Sequence, residues 1–175
     1  MHPRRHFPTL IALLANGVLS LCIAELNHYA SVCSIQLLLP ACFILYPGLC
    51  LGYFQGLVVC VISGLMLDSA IPAPESFFSI LLPIQHLILH RVSPKLHKEG
   101  GLDSFLLAQV LNFIPLLYLA VHFSRQFPTP FLANFLQILA SQVTLLVLAP
   151  LHLASQVALS SYLGVDLNDE EARAS

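Results

Sequence analysis

Five long runs without a charged residue constrain this 175-residue chain more than any other feature. They cover positions 6–24, 26–67, 76–90, 104–124 and 126–165. A helix needs roughly 20 apolar residues to cross about 30 Å of hydrocarbon. Seven basic and nine acidic side chains cannot cover a soluble globule of this size, since ordinary domains are about 25% charged. The pattern therefore excludes a soluble enzyme or a nucleic-acid-binding protein and predicts an integral membrane protein.

The fold class that follows is an all-α bundle of six transmembrane helices. Pro47 and Gly48 are expected to divide the run 26–67, which is too long for one crossing, because proline ends helices and glycine permits a tight turn. The predicted spans are 8–26, 34–50, 52–68, 76–91, 103–122 and 131–152, in one bundle of residues 1–163 with an acidic cytoplasmic tail at 164–175. Four prolines are expected to kink or end helices: Pro40, Pro83, Pro115 and Pro150.

The basic residues predict that both termini lie in the cytoplasm. With six crossings the cytoplasmic side holds Arg4, Arg5, Arg91, Lys95, Lys98 and Arg173, and only Arg125 lies outside, as the positive-inside rule requires. A single kinked helix over 34–68 would give five crossings and would place the basic loop outside. That cytoplasmic basic loop, 91–103, carries Arg91, Lys95 and Lys98. It is expected to anchor the orientation or to contact acidic lipid or a cytosolic partner.

Small residues recur every fourth position along the third predicted span. The stripe consists of Gly52, Gly56, Cys60, Gly64 and, at its end, Asp68. Small residues allow close contact between helix backbones in a bilayer, where van der Waals packing drives association. The stripe predicts either packing against another span of the same chain or an interface with a partner or a second copy.

Carboxylates near the outer face are the one candidate for catalysis. Glu25, Asp68 and Glu75 are expected to form an outer-face acidic cluster, and paired carboxylates that share a proton can catalyse hydrolysis. Asp68 has an equal claim as a turn-forming residue that bonds to backbone. The spacing of the three acids does not require them to meet.

Metal and cofactor sites are not expected. The cysteines Cys22, Cys33, Cys42, Cys50 and Cys60 have no CxxC spacing and are interpreted as small packing residues. His86 and His90 are one helical turn apart but lack a third ligand. They and His152 are expected at the inner membrane interface. Ser155 and Gln156 are interpreted as part of an interfacial extension of the last helix.

Other polar residues in the spans are expected to lock helix positions. Asn112 lies in the fifth span, and Gln137, Ser141 and Thr144 share one face of the sixth. That face should point into the bundle, where hydrogen bonds between helices can form. Lining a ligand cavity is the alternative role.

The layout resembles the MreD family of rod shape-determining membrane proteins. The resemblance rests on six spans in a short chain, a basic loop after the fourth, and a segment with Gly56, Cys60, Gly64 and Asp68 at four-residue spacing. The family pattern is two glycines, an aspartate, a turn and a further glycine. Cys60 stands where the family commonly has glycine, and Ser76 stands near the position of the glycine after the turn.

The resemblance implies a multi-pass scaffold of the bacterial inner membrane rather than an enzyme. Such proteins belong to the elongation complex for peptidoglycan, which controls cell shape, and associate with the single-span protein MreC. They are also thought to be built like the S-components of energy-coupling-factor vitamin transporters. An S-component is therefore the alternative function, and a small intramembrane enzyme that uses the outer-face carboxylates is the second. The expected surroundings are the lipid bilayer, an MreC-like partner and, as an open possibility, further copies of the chain.

Overall fold

The computed structural model describes residues 7–33, 35–71, 73–99, 101–126 and 131–163. Within this part of the chain, the regular structure is helical: one 3₁₀ turn, Ser31–Cys33, and six α-helices. The helices are α1 (Phe7–Ala30), α2 (Cys42–Cys50), α3 (Tyr53–Ala70), α4 (Phe77–Glu99), α5 (Gly101–Gln126) and α6 (Phe131–Tyr162). The expected all-α class is confirmed.

Four of these helices contain apolar segments long enough to cross a membrane. The segments are Phe7–Ala30, Tyr53–Ala70, Leu106–Arg125 and Leu132–Tyr162, and a shorter apolar segment occupies Phe77–Val92 of α4. Large apolar side chains cover the outside of these helices: Leu21 on α1 and Phe54 on α3 are 70% and 77% exposed. Water does not tolerate such continuous apolar faces, and the chain is a membrane protein.

The second predicted span, 34–50, is only partly helical. Residues 35–39 have no regular secondary structure, residues 40 and 41 form a turn, and α2 begins at Cys42. Pro47 lies inside α2 rather than at its end, and the chain breaks instead at Leu51 and Gly52. The expected break at Pro47 and Gly48 is therefore wrong. The reason is that the carbonyl which Pro47 leaves unpaired finds another donor, as described below.

The segment 35–50 runs antiparallel to α1 through the interior. Its start contacts the end of α1 through Asn27 and Leu37, and its middle contacts the middle of α1 through Asn16 and Phe43. Residues 41–48 are all buried. This segment is the centre of the bundle.

Two further expectations need correction. Most of the expected basic loop 91–103 is helical, because α4 continues to Glu99 and α5 begins at Gly101. The bounds of the last helix also change, since it continues well beyond 152, to Tyr162. Pro83, Pro115 and Pro150 lie inside α4, α5 and α6, so of the two predicted effects, a kink or an end, they do not end their helices. The expected tail at 164–175 lies outside the described residues.

Candidate functional site

Asp68 joins the end of α3 to the start of α4. Its Oδ1 accepts a hydrogen bond from the Phe78 backbone N–H at 2.7 Å, and its Oδ2 accepts one from Ser79 N–H at 2.9 Å. The first N–H groups of a helix have no partner within the helix, and a carboxylate there also interacts favourably with the helix dipole. Both oxygens of this half-buried carboxylate therefore hold α4 in place.

Ser76 closes the turn between these two helices in a left-handed conformation. Its φ is 60°, and it is the one non-glycine residue with positive φ in the described chain. This region costs an L-residue roughly 1–2 kcal/mol but costs glycine almost nothing. The turn therefore favours glycine at position 76.

The small-residue stripe packs α3 directly on α4 within the same chain. A Cβ at Gly64 would lie 2.5 Å from the Phe78 carbonyl oxygen and 2.5 Å from Ser79 Cα, both backbone atoms. A Cβ at Gly56 would meet the His86 ring and would lie 2.7 Å from the Pro47 carbonyl oxygen. Cys60, between these glycines, is fully buried.

Gly52 does not belong to this contact. A Cβ added there would meet no described atom within 4 Å. Gly52 instead precedes the first residue of α3, in extended conformation. The stripe predicted from Gly52 onward therefore begins at Gly56, because position 52 lies in the turn before the helix.

Two buried amides replace the hydrogen bonds that prolines remove. Pro47 has no N–H for the Phe43 carbonyl, and Asn16 Nδ2 donates to that oxygen at 3.2 Å. Pro115 likewise has none for the Leu111 carbonyl, and Gln85 Nε2 donates there at 2.7 Å. Helical proline normally leaves the carbonyl four residues earlier unpaired, so these amides permit proline inside buried helices.

Polar side chains from three helices also hold the segment that precedes α2, residues 35–41. Asn27 of α1 accepts from Leu37 N–H at 2.6 Å and donates to the Leu37 carbonyl at 3.0 Å. Asn112 of α5 accepts from Ala41 N–H at 3.3 Å, and Ser141 of α6 accepts from Leu38 N–H at 3.2 Å. Buried non-helical backbone requires such partners. The predicted inward direction is therefore confirmed for Ser141, whereas Gln137 and Thr144 on the same face are half-buried.

A second polar network lies between α1, α3 and α6. Asn16, which is fully buried, donates from Nδ2 to Ser63 Oγ at 2.9 Å. Its Oδ1 lies 3.1 Å from His152 Nε2 and 3.2 Å from Gln156 Nε2. Farther along α6, the hydroxyls of Tyr46 and Ser160 share a hydrogen bond of 2.5 Å. His152 and Gln156 were expected at an interface, but the turn of α6 that carries them faces the interior.

A groove of about 490 Å³ opens between α1 and α6 next to this network. Its walls are mostly apolar, and His152 and Ser155 are polar residues that line it. Several wall residues are strongly exposed, among them Leu14, Val18 and Leu151. The groove therefore faces the surroundings of the bundle rather than an enclosed interior.

The other two residues of the predicted acidic cluster are exposed, Glu25 on α1 and Glu75 in the turn before α4. Among the described residues, no group of three or more His, Cys, Asp or Glu side chains could hold a metal. Arg91, predicted to lie in a loop, is exposed on helix α4. The side chains of Lys95 and Lys98 lie outside the described set.

His86 and His90 do lie close together, with ring centroids 5.8 Å apart. His86 Nε2 is 3.2 Å from the Tyr53 carbonyl oxygen. The His86 ring also packs where Gly56 leaves room, so His86 serves the contact between α3 and α4.

Sequence reasoning missed Asn16, Asn27, Ser63 and Gln85. The sequence did contain a signal for Asn16 and Gln85, because each is a polar amide within an apolar run and other spans of the chain contain proline. Which carbonyl each amide binds could not be predicted, because it depends on how separate helices pack.

Comparisons with protein-family models, with curated proteins and with solved structures find no match to this chain.

Proposed function

We propose that the chain is a non-enzymatic scaffold of the bacterial inner membrane, part of the cell-wall elongation complex that controls cell shape. In this proposal it associates with an MreC-like single-span protein. The observation that carries the proposal is the positive φ of Ser76, near the position where the MreD pattern has its glycine after the turn. The left-handed backbone at Ser76 gives a physical reason for a glycine in this part of the family pattern.

The other pattern residues support the same conclusion. Gly64 allows the backbone of α4 to approach, and Asp68 caps α4 with both carboxylate oxygens. Glycine, aspartate and turn are then parts of one joint between two helices. A carboxylate with both oxygens bound to backbone suits a structural role better than acid–base catalysis, which favours the scaffold over the enzyme.

The proposal includes six crossings, with both termini in the cytoplasm and a bundle built like an S-component. Helix α2 has nine residues and is about 13 Å long at 1.5 Å per residue, which is too short to span. Residues 35–39 before the turn at 40–41 can add at most roughly 17 Å at about 3.3 Å per residue. Together they match the thickness of the hydrocarbon core, about 30 Å, so 35–50 can form the second crossing.

Co-purification tests this proposal. The tagged full chain is expressed together with the MreC-like protein encoded in its own genome and is isolated in mild detergent. We expect the two proteins to co-purify, and we expect depletion of the chain in its native host to turn rods into round cells. Normal rod shape after depletion, together with absence of the MreC-like protein from the purified chain, would contradict the proposal.

A further inference from the structure

His86 carries a buried ring nitrogen that has no hydrogen-bond partner among the described residues. Its Nε2 lies 3.2 Å from the Tyr53 carbonyl oxygen. A carbonyl can only accept, so the proton of the neutral ring is on Nε2, and Nδ1 keeps a free lone pair. Nδ1 is enclosed by the protein and is unpaired. Because a buried acceptor without a partner is costly, a ligand that takes this lone pair is favoured.

The surroundings of His86 are those of a metal-binding histidine. Such a histidine usually donates its other ring N–H to a carbonyl or a carboxylate, which fixes the ring and makes the free nitrogen a better ligand. The Tyr53 carbonyl provides this contact. The ring is also held by packing, since a Cβ at Gly56 would collide with it. His86 is therefore oriented in advance, with Nδ1 available.

His90 brings a second imidazole to the same face of α4. Residues four apart are neighbours on a helix, and the centroids of the two rings are 5.8 Å apart. With a metal–nitrogen distance of about 2.0 Å, the centroids of two imidazoles that share one ion lie roughly 5–6.5 Å apart. Histidines at this spacing on one helix also bind zinc in the HExxH motif. The separation of His86 and His90 therefore suits one shared ion.

The histidine pair lies at an edge of the bundle that water can reach. His90 is half-buried, and Arg91, the next residue, is exposed. A charged side chain on the outside of a membrane helix belongs at the headgroups rather than among acyl chains. Tyr53, whose ring packs on both histidines, is itself 41% exposed. The pair is therefore buried on the side of His86 and accessible on the side of His90.

We propose that His86 and His90 bind one divalent transition-metal ion of the class that prefers imidazole, such as Zn²⁺. His86 Nδ1 is one ligand, and a ring nitrogen of His90 is the other. Water fills the two remaining positions of a tetrahedral ion, so the ion is held less tightly than by the four protein ligands of a structural zinc site. Mg²⁺ and Ca²⁺ are not bound, because they require oxygen ligands. The inference goes beyond the proposed function and needs neither the MreC-like partner nor six crossings.

Zinc titration of the purified full chain tests the inference. The chain is isolated in mild detergent without a histidine tag, is freed of metal with a chelator and is titrated with Zn²⁺ by calorimetry. We expect one ion to bind at this pair in each chain, and we expect about a 100-fold excess of Mg²⁺ not to compete. Zn²⁺ should also raise the midpoint of thermal unfolding, because it binds the folded state.

Two variants remove one ligand each and retain the packing. His86→Gln lacks Nδ1 but keeps an amide N–H that can bond to the Tyr53 carbonyl. His90→Phe keeps an aromatic ring against Tyr53. The matched control is His122→Phe, at another half-buried histidine that stacks on a tyrosine ring, that of Tyr118.

Each site variant should lower the affinity for Zn²⁺ at least about 10-fold and should abolish the zinc-dependent rise in unfolding temperature, whereas the control should stay within about 2-fold of wild type. Thermal unfolding in chelator shows whether each variant is folded, and His90→Phe decides the matter if His86→Gln does not fold. Absence of Zn²⁺ binding by the wild-type chain would overturn the inference. Wild-type affinity in either site variant, which would mean an adventitious ion only, or competition by Mg²⁺ would overturn it as well. None of these outcomes bears on the proposed function.

Discussion

Buried amides in this protein serve backbone carbonyls that lack a partner in their own helix. Gln85 donates to the Leu111 carbonyl at 2.7 Å, at the point where Pro115 lacks an N–H group. Asn16 does the same for Phe43, before Pro47. At the scale of single residues, the positions of these two buried amides are therefore explained by neighbouring prolines.

This pairing predicts an energetic coupling between Gln85 and Pro115. Gln85→Leu should lower the free energy of unfolding by about 1–3 kcal/mol, because it leaves a buried carbonyl unpaired. In a Pro115→Ala background the helix supplies its own N–H, and Gln85→Leu should cost much less. The measurement is a double-mutant cycle of detergent unfolding. Equal costs in both backgrounds would show that Gln85 does not act for Pro115.

A second prediction concerns Ser76. Ser76→Gly should raise the free energy of unfolding by about 0.5–1 kcal/mol, since the relief of left-handed strain exceeds the added backbone entropy of glycine. Ser76→Ala retains the Cβ and should give no gain. Denaturant titration of the purified variants checks both. A loss of stability in Ser76→Gly would contradict the positive φ at this turn.

At the scale of elements, the joint between α3 and α4 is the most constrained contact. Gly64→Ala would force the backbone of Phe78 and Ser79 away and would disturb the cap made by Asp68. We expect a loss of about 2 kcal/mol or more, as for other overpacked sites. Gly17→Ala is the matched control, because Gly17 is also helical but has no described atom within 4 Å of an added Cβ.

The control should be neutral or stabilise the protein by up to about 1 kcal/mol through helix propensity. Thermal unfolding of both variants in the same detergent makes the comparison. Equal effects of the two substitutions would mean that α3 and α4 do not touch at Gly64.

Long apolar runs were sufficient to predict α1, α3, α5 and α6, because hydrophobic length alone specifies a spanning helix. They were not sufficient for 34–50, since apolar composition does not distinguish a helix from non-helical chain when both are buried. Two of the deciding partners of this segment, Asn112 and Ser141, are 71 and 103 residues away in sequence from the groups they bind. Only Ser141 was expected to face inward.

The sequence likewise predicted one part of the candidate site and missed another. The pattern of Gly56, Gly64 and Asp68 indicated a close contact of α3, and the structure assigns that contact to α4. The interior position of His152 was not predictable, because a histidine near a helix end usually reaches the interface. Its position follows from the length of α6, which continues to Tyr162.

At the scale of the whole molecule, the central proposal is that 35–50 crosses the membrane, with a non-helical part followed by the short helix α2. Interior hydrogen bonds make this arrangement tolerable, because non-helical backbone at membrane depth must be enclosed by protein. The six-crossing topology depends on it. With five crossings, Val32 and Tyr53 would not be separated by the bilayer.

Labelling of single cysteines in intact cells tests this claim most directly. In the full chain, Cys22, Cys33 and Cys50 are replaced by alanine, whereas the buried Cys42 and Cys60 remain and serve as the unlabelled background. A cysteine is then introduced by Val32→Cys or by Tyr53→Cys, at positions that are 88% and 41% exposed. The probe is a membrane-impermeant maleimide.

We predict that Val32→Cys reacts in intact cells, and that Tyr53→Cys reacts only after the membrane is permeabilised. Reaction of both cysteines in intact cells would place 33–52 on one side of the membrane and would contradict the account.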